Sequence, residues 1–340
     1  MLFDLTFSNE VGYPEWFFIP YNVNNVEYDD YSLQCALNLF KEVCISKEYT
    51  TYGSLNLKSY CHLYGGGSIT NTHAAALLKS DGMKNIHIEN LRFEQTDKIR
   101  SFALFYTASY NIRIEHCICE NIGIINSDGT YRVNSTYSGK VEVLFNKCHS
   151  YQYKNDGTEI KDNIVNAIFL AFTDNILVKS NEIENVFQAI TIWGGDGVRY
   201  EWYDIDNKKP IFGSNNGTIS DNTITNCLNS GIFVALSRQF IISNNKLENI
   251  KAEILDAEFS EDISFVQNKA YYSNTCLTVF GWRNNIIFER NDVIPLNNGE
   301  CFWFYVEACT NGIYYSESLD TLGKISLLYN NVRPINTDSY

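Results

Sequence analysis

The 340-residue chain predicts an all-β fold: a solenoid of stacked parallel strands with a helix closing its N-terminal end. Three observations carry that expectation. A nine-residue segment returns with variations along most of the chain, as NIHIENLRF at 85–93, NIRIEHCIC at 111–119, KVEVLFNKC at 140–148, NILVKSNEI at 175–183, NGTISDNTI at 216–224, QFIISNNKL at 239–247, DISFVQNKA at 262–270 and NIIFERNDV at 285–293. One slot of that segment holds Leu91, Cys117, Asn146, Asn181, Asn222, Asn245, Asn268 and Asn291, and the last four are 23 residues apart each time. The composition agrees: 40 Asn, only 5 Pro and abundant β-branched residues suit short strands joined by tight turns.

The elements follow in chain order. Asp30 to Glu42 (DYSLQCALNLFKE) predicts the helix, with Asp30 as its cap and Leu33, Leu37 and Phe40 on one face, plugging an edge that would otherwise invite aggregation. A first coil follows, in which Leu55 and Leu57 alternate, Cys61 and Leu63 alternate, and Gly65 to Gly67 turn. In the repeats, the slot three residues before the Asn column reads Ile88, Ile114, Val143, Val178, Ile219, Ile242, Phe265 and Phe288. The slot two residues after it reads Phe93, Cys119, Cys148, Ile183, Ile224, Leu247, Ala270 and Val293. A further strand follows several copies: 167–172, 189–196, 231–238, 253–259, 276–283 and 301–308. A 23-residue period is too short for a strand–helix–strand unit, so the copies stack as coils, roughly 8–10 of them in all. The Asn column is expected at a bend, where an inward amide bonds the turn backbone and the Asn of the next coil, each bond netting about 1 kcal/mol. Asn also tolerates the left-handed backbone of a sharp bend. The expected division is a leading segment with the helix over 1–44, the solenoid over 45–311, and a cap over 312–340.

Composition excludes several functions. The net charge is −14, which opposes nucleic acid and anionic membrane surfaces as partners. The most apolar stretch, Val165 to Phe172, is far short of the ~20 residues of a membrane span. The N-terminus lacks the basic start and apolar core of a secretory leader, so the expectation is cytoplasmic folding, with action on a virion or outside the cell. Ten Cys without a Cys-x-x-Cys read as buried free thiols. His62, His73, His87, His116 and His149 form no motif in the sequence, and neither a metal nor another cofactor is expected.

The helix, the Y-x-x-x-G-x-L-x-L run from Tyr49 to Leu57, the LYGGGSI turn and the NxIxxNxI coils together resemble the pectate-lyase-like right-handed parallel β-helix superfamily, over roughly residues 30–310. The helix and first coil also resemble bacteriophage tailspike depolymerases. The resemblance implies a single-stranded right-handed β-helix, an Asn ladder at the bend between the second and third sheets, and a substrate groove along the first sheet, which the 231–238 type of strand would form. It does not fix the chemistry, since such folds include lyases, hydrolases, epimerases and non-enzymes. The Arg-x-Pro-x-x-Arg of pectate lyases is missing, and so are a calcium-type run of Asp and the paired-Asp signature of polygalacturonases.

Extra residues at 122–139, 152–166 and 194–216 are expected as loops walling that groove; the last carries Trp202. If Ile168, Ile190, Ile232, Leu277 and Phe302 point inward, then Phe169, Thr191, Trp193, Phe233, Thr278, Phe280, Trp303 and Tyr305 point outward. Aromatic rows of that kind suit the flat faces of sugars. Asp174, Asp196, Arg238, Glu258, Arg283 and Glu307 end the same strands, with Asp174 and Asp196 on one column. Paired carboxyls serve glycoside hydrolysis, and Arg238 and Arg283 would hold a substrate carboxylate or a lyase intermediate. The candidate catalytic set is therefore Asp174, Asp196, Glu258, Arg238 and Arg283. The candidate substrate-binding set is Trp193, Phe233, Phe280, Trp303, Tyr305, Glu307 and Trp202. The expected function is a polysaccharide depolymerase, hydrolase or lyase, acting on a poly- or oligosaccharide. The alternative is a glycan-binding or structural β-helix without turnover, and in either case packing along one face would make a homotrimer.

Overall fold

The computed structural model describes residues 11–17, 21–97, 99–127, 138–150, 165–195, 203–204, 209–210, 213–280, 284–296, 299–305 and 324–333. Three parallel sheets wrap a single apolar interior. Among the described residues the first sheet has 10 strands, the second 12 and the third 11, and neighbours within each sheet belong to successive coils. One coil shows the plan: Ile232–Ala235 in the first sheet, Ser237–Ser243 in the second, Lys246–Ile250 in the third. Among the described residues ten coils carry a strand in all three sheets, at the upper end of the expected number. Among the described residues no helix is long and apolar enough to cross a membrane.

Each apolar column of the sequence becomes a vertical stack. Ile88, Ile114, Val143, Val178, Ile219, Ile242, Phe265 and Phe288 are fully buried, and so are Phe93 through Val293 in the second column. Phe265 and Phe288 stack face to face at 4.8 Å. The nine described cysteines are free thiols, six of them buried, and burial pushes Cys61, Cys117, Cys148 and Cys276 up to about 12. They pack as small apolar groups with little nucleophilic character.

The bend between the second and third sheets carries an unbroken ladder from Asn146 through Asn181, Asn222, Asn245, Asn268 and Asn291 to Asn330. In each rung the side-chain oxygen accepts from both the backbone N–H and the side-chain amide of the Asn one coil earlier, as Asn245 does from Asn222 at 3.0 and 2.9 Å. The rung's own amide then donates to the carbonyl three residues before that earlier Asn, Ile219 in this case, at 2.9 Å. One expectation needs correction. The left-handed residue of the bend is the one before the Asn: Phe145, Ser180, Asp221, Asn244, Gln267, Arg290 and Tyr329 all have φ between 55° and 59°. The ladder Asn keeps ordinary backbone geometry and is held there for its hydrogen bonds.

The ends also differ from expectation. The helix spans Asp30–Leu39 and buries Leu33 and Leu37 against the first coil. Asp30 does not cap it. Its carboxylate accepts from the backbone N–H of Tyr52 (2.9 Å) and Gly53 (2.7 Å), lashing the plug to the coil beneath. Gly65, at φ 140°, completes that coil's turn where a Cβ would lie 2.1 Å from the Ile45 carbonyl oxygen. The second sheet already begins at Val11–Gly12, inside the presumed leading segment. At the far end Ile325–Leu328 and Asn331–Val332 add another strand to the second and third sheets, with Asn330 as the last rung. The solenoid therefore runs beyond residue 311, into the stretch assigned to a cap. The repeat escaped notice because 39 residues, not 23, separate Asn291 from Asn330.

Candidate functional site on the first sheet

The first sheet presents two outward columns. Cross-strand register runs Phe169, Thr191, Phe233, Asp256, Thr278, Trp303 in one. The other runs Ala171, Trp193, Ala235, Glu258, Phe280, Tyr305. Residues two apart on one strand share a face, so Asp256 and Glu258 stand side by side, about 6.5 Å apart along the backbone. The predicted inward set holds, with Ile168, Ile190, Ile232 and Leu277 fully buried and Phe302 packed against the core.

The aromatics are not a bare platform. Phe169, Trp193 and Phe280 pack against a second apolar cluster of Ala171, Phe172, Leu236 and Phe259. Phe172, Leu236 and Phe259 form the corner where the first sheet passes into the second, at φ 48°, 42° and 47°. Bulky residues rarely adopt that conformation, which costs on the order of 1 kcal/mol or more each, and such strain gathers beside functional sites. Trp193 lies 6.4 Å from Phe233, and Phe280 lies 6.3 Å from Trp303, ring centre to ring centre. Trp303 is the most exposed of them, at 38%.

Asp256 is the residue that the sequence reading missed. Although it faces outward, it is only 3% exposed. Burial, then the neighbouring Glu258 and Glu253, push its carboxyl well above the usual carboxylate range. Its Oδ1 has no hydrogen-bond partner among the described residues, and the same holds for the buried hydroxyls of Thr191 and Thr278 in the same column. Buried polar groups are rarely left so. Phe233 and Trp303 bracket Asp256 and Thr278 in register, roughly 14 Å apart at the usual strand spacing. A signal was present in EILDAEF: an acid in an outward slot of an otherwise apolar strand, two residues before Glu258.

The other candidates separate. Glu258 is on the first sheet, as expected. Asp174 and Arg238 are not; they lie past the corner, on the second sheet, in a column with Asn215 and Glu261. There the amide of Asn215 donates to Asp174 (2.8 Å), and Arg238 Nε donates to the Asn215 oxygen (2.6 Å). The register partner of Asp174 is thus Asn215 rather than Asp196. Burial, followed by Asp262, raises Glu261, while Arg238 opposes the shift. Asp196, Trp202, Arg283, Glu307 and the side chain of Tyr305 lie outside the described residues. Of the expected loops, 122–139, 152–166 and 194–216, the flanks are described. Connections leave the first sheet after Ser127 and after Trp193, and one enters it before Asn166.

Residues 152–293 match the family model described as "Right handed beta helix region". No curated protein matches the chain in sequence. Among solved structures the chain is similar to PfbA, a surface adhesin of Streptococcus pneumoniae, with a TM-score of 0.66 at 12% identity over 96% of this chain and 91% of that one. It is similar to the Dettilon tailspike protein, with a TM-score of 0.55 at 13% identity over 93% and 68%. It is also similar to a hyperthermoactive exopolygalacturonase from Thermotoga maritima, with a TM-score of 0.53 at 10% identity over 95% and 92%. The fold is a right-handed parallel β-helix, as its sequence features imply.

Proposed function

We propose that the chain is a carbohydrate-active β-helix that cleaves a polysaccharide in the groove along its first sheet. Asp256 is the general acid and Glu258 the second carboxylate. The observation that carries this reading is Asp256: an outward yet buried carboxyl, raised above its ordinary range, beside a second acid. Glycoside hydrolysis needs that asymmetry, one carboxyl keeping its proton for the leaving oxygen while its neighbour attacks or activates water. Phe233 and Trp303 bind sugar faces on either side, and the hydroxyls of Thr191 and Thr278 bond to sugar hydroxyls. A hydrolase fits better than a lyase, because a protonated acid is of little use as the base that removes a ring proton. The fold likeness to a tailspike protein and an exopolygalacturonase supports a carbohydrate substrate.

The likeness to an adhesin keeps glycan binding without turnover as the second reading. A panel of polysaccharides separates the two. Wild-type protein should release reducing ends from at least one glycan without the ultraviolet absorbance of an unsaturated product, and Asp256→Asn and Glu258→Gln should abolish release while still binding that glycan. Unsaturated product would make it a lyase. Full activity in both variants would remove these residues from the mechanism, and binding of a glycan without release by the wild type would leave the adhesin-like reading.

A further inference from the structure

We propose that His62, His87 and Glu89 form a binding site for a divalent transition-metal ion that ties together two adjacent coils. The site lies on the outer face of the second sheet, among the N-terminal coils, and is independent of the groove proposed above. His62 belongs to Cys61–Gly65; His87 and Glu89 belong to Lys84–Glu89, the next strand of the sheet. Their 25-residue offset carries no motif in the sequence, yet the register places His87 directly beside His62. The two imidazoles stack at 4.6 Å with their planes 5° apart, so their edges point the same way. Glu89, two residues after His87, brings its carboxylate to that edge. Oε1 is 2.8 Å from His62 Nε2, and Oε2 is 3.9 Å from His87 Nε2. The three ligand atoms all lie within 4.8 Å of one another.

Zinc-type bonds to imidazole nitrogen and carboxylate oxygen are about 2.0–2.2 Å, so the ligands of one ion sit a little over 3 Å apart. The ligand atoms, all within 4.8 Å of one another, reach that spacing by rotation of the two rings out of their parallel stack. Two imidazoles and one carboxylate suit Zn²⁺ and its first-row neighbours, not Ca²⁺ or Mg²⁺, which prefer oxygen. Three protein ligands leave a coordination position open to solvent, and the three side chains are between 25% and 34% exposed.

The surroundings accommodate the charge. His87 Nε2 also lies 2.8 Å from Glu115 Oε1. If His87 turns to the metal, Glu115 is not orphaned, since Arg113 holds it through Nε (2.7 Å) and a terminal nitrogen (2.6 Å). Glu42 stands in register beside His62, and Glu142 beside Arg113. With neutral imidazoles the patch thus sets the carboxylates of Glu42, Glu89, Glu115 and Glu142 against the single guanidinium of Arg113, a net negative surface that attracts a cation. The histidines form no motif in the sequence because a coil length, not local spacing, brings His62 and His87 together.

The test is a titration of the metal-free chain with Zn²⁺ and with Co²⁺, read by calorimetry and by visible Co²⁺ ligand-field bands. The wild type should bind one equivalent, and its melting temperature should rise with Zn²⁺ as binding to the folded state requires. His62→Gln, His87→Gln and Glu89→Gln should each weaken binding by at least about 100-fold and abolish the thermal shift, while His149→Gln on the third sheet keeps both. Excess Ca²⁺ or Mg²⁺ should not compete. Should a variant misfold, the wild type still decides the matter: Zn²⁺ should protect His62 and His87, but not His149, from diethyl pyrocarbonate. No stoichiometric binding by the wild type, unchanged affinity in the three variants, or no selective protection would each overturn the site.

Discussion

Two stacks of polar residues run through the same coils and are treated in opposite ways. At the inner bend, Asn222, Asn245, Asn268 and Asn291 are buried, and each amide is answered by the rungs above and below at 2.9–3.2 Å. On the first sheet, Thr191, Asp256 and Thr278 are buried in the same coils, and each keeps an oxygen without a partner among the described residues. Stacking identical coils is thus able to satisfy a buried polar column when one residue type repeats. The first-sheet column does not repeat, and its unanswered groups carry a cost of about 1–3 kcal/mol each. A column that costs stability and breaks the repeat points to ligand rather than to architecture.

That contrast can be tested from its strongest consequence downward. Asp256→Asn should lower turnover of the correct glycan by at least about 100-fold, the usual reach of one general acid, in a reducing-end assay. The same variant should melt higher than wild type at neutral pH. The folded carboxyl keeps its proton above the ordinary value near 3.9, so its contribution to wild-type stability is fully present below that pH and is lost as pH rises toward and through the raised folded value. The advantage of the Asp256→Asn variant should accordingly grow between pH 4 and pH 7 in thermal melts; an advantage independent of pH would deny the shift. Asn245→Ala, by contrast, should cost about 3 kcal/mol in denaturant unfolding, because it strands the N–H and amide of Asn222 and the carbonyl of Ile219. Trp303→Ala should raise KM about 3- to 10-fold with little change in kcat, as expected for one lost aromatic contact. The smallest effect belongs to Cys117→Asn, which would add a rung where Cys117 N already donates to Asn146 at 2.9 Å; a gain of about 1 kcal/mol in the same unfolding experiment is expected.

The fold was legible because its determinants repeat. Eight aligned segments placed the two inner columns and the ladder, and the structure buries both columns and joins the Asn rung to rung. The site was legible only in part, for a local reason. The corner after the first sheet is made by Phe172, Leu236 and Phe259 in left-handed conformation, with no Gly, Asn or Pro to announce it. GIFVALSR at 231–238 therefore reads as one strand, Asp174 reads as the end of the strand at 167–172, and Asp174 and Arg238 were placed on the wrong sheet. Asp256 escaped for the complementary reason: its distinction is burial on an outward face, a tertiary property that alternation cannot report.

The 23-residue spacing of the last coils has a consequence for how such a groove changes. In these coils each strand pairs in register with the strands of the coils before and after it. Excising residues 246–268 would bring Asn245 onto Asn291 and leave the three walls continuous, yet it would carry away Asp256 and Glu258 together. The proposed site is thus a cassette, one that unequal crossing-over of a single lap would add or remove while the shaft around it stands.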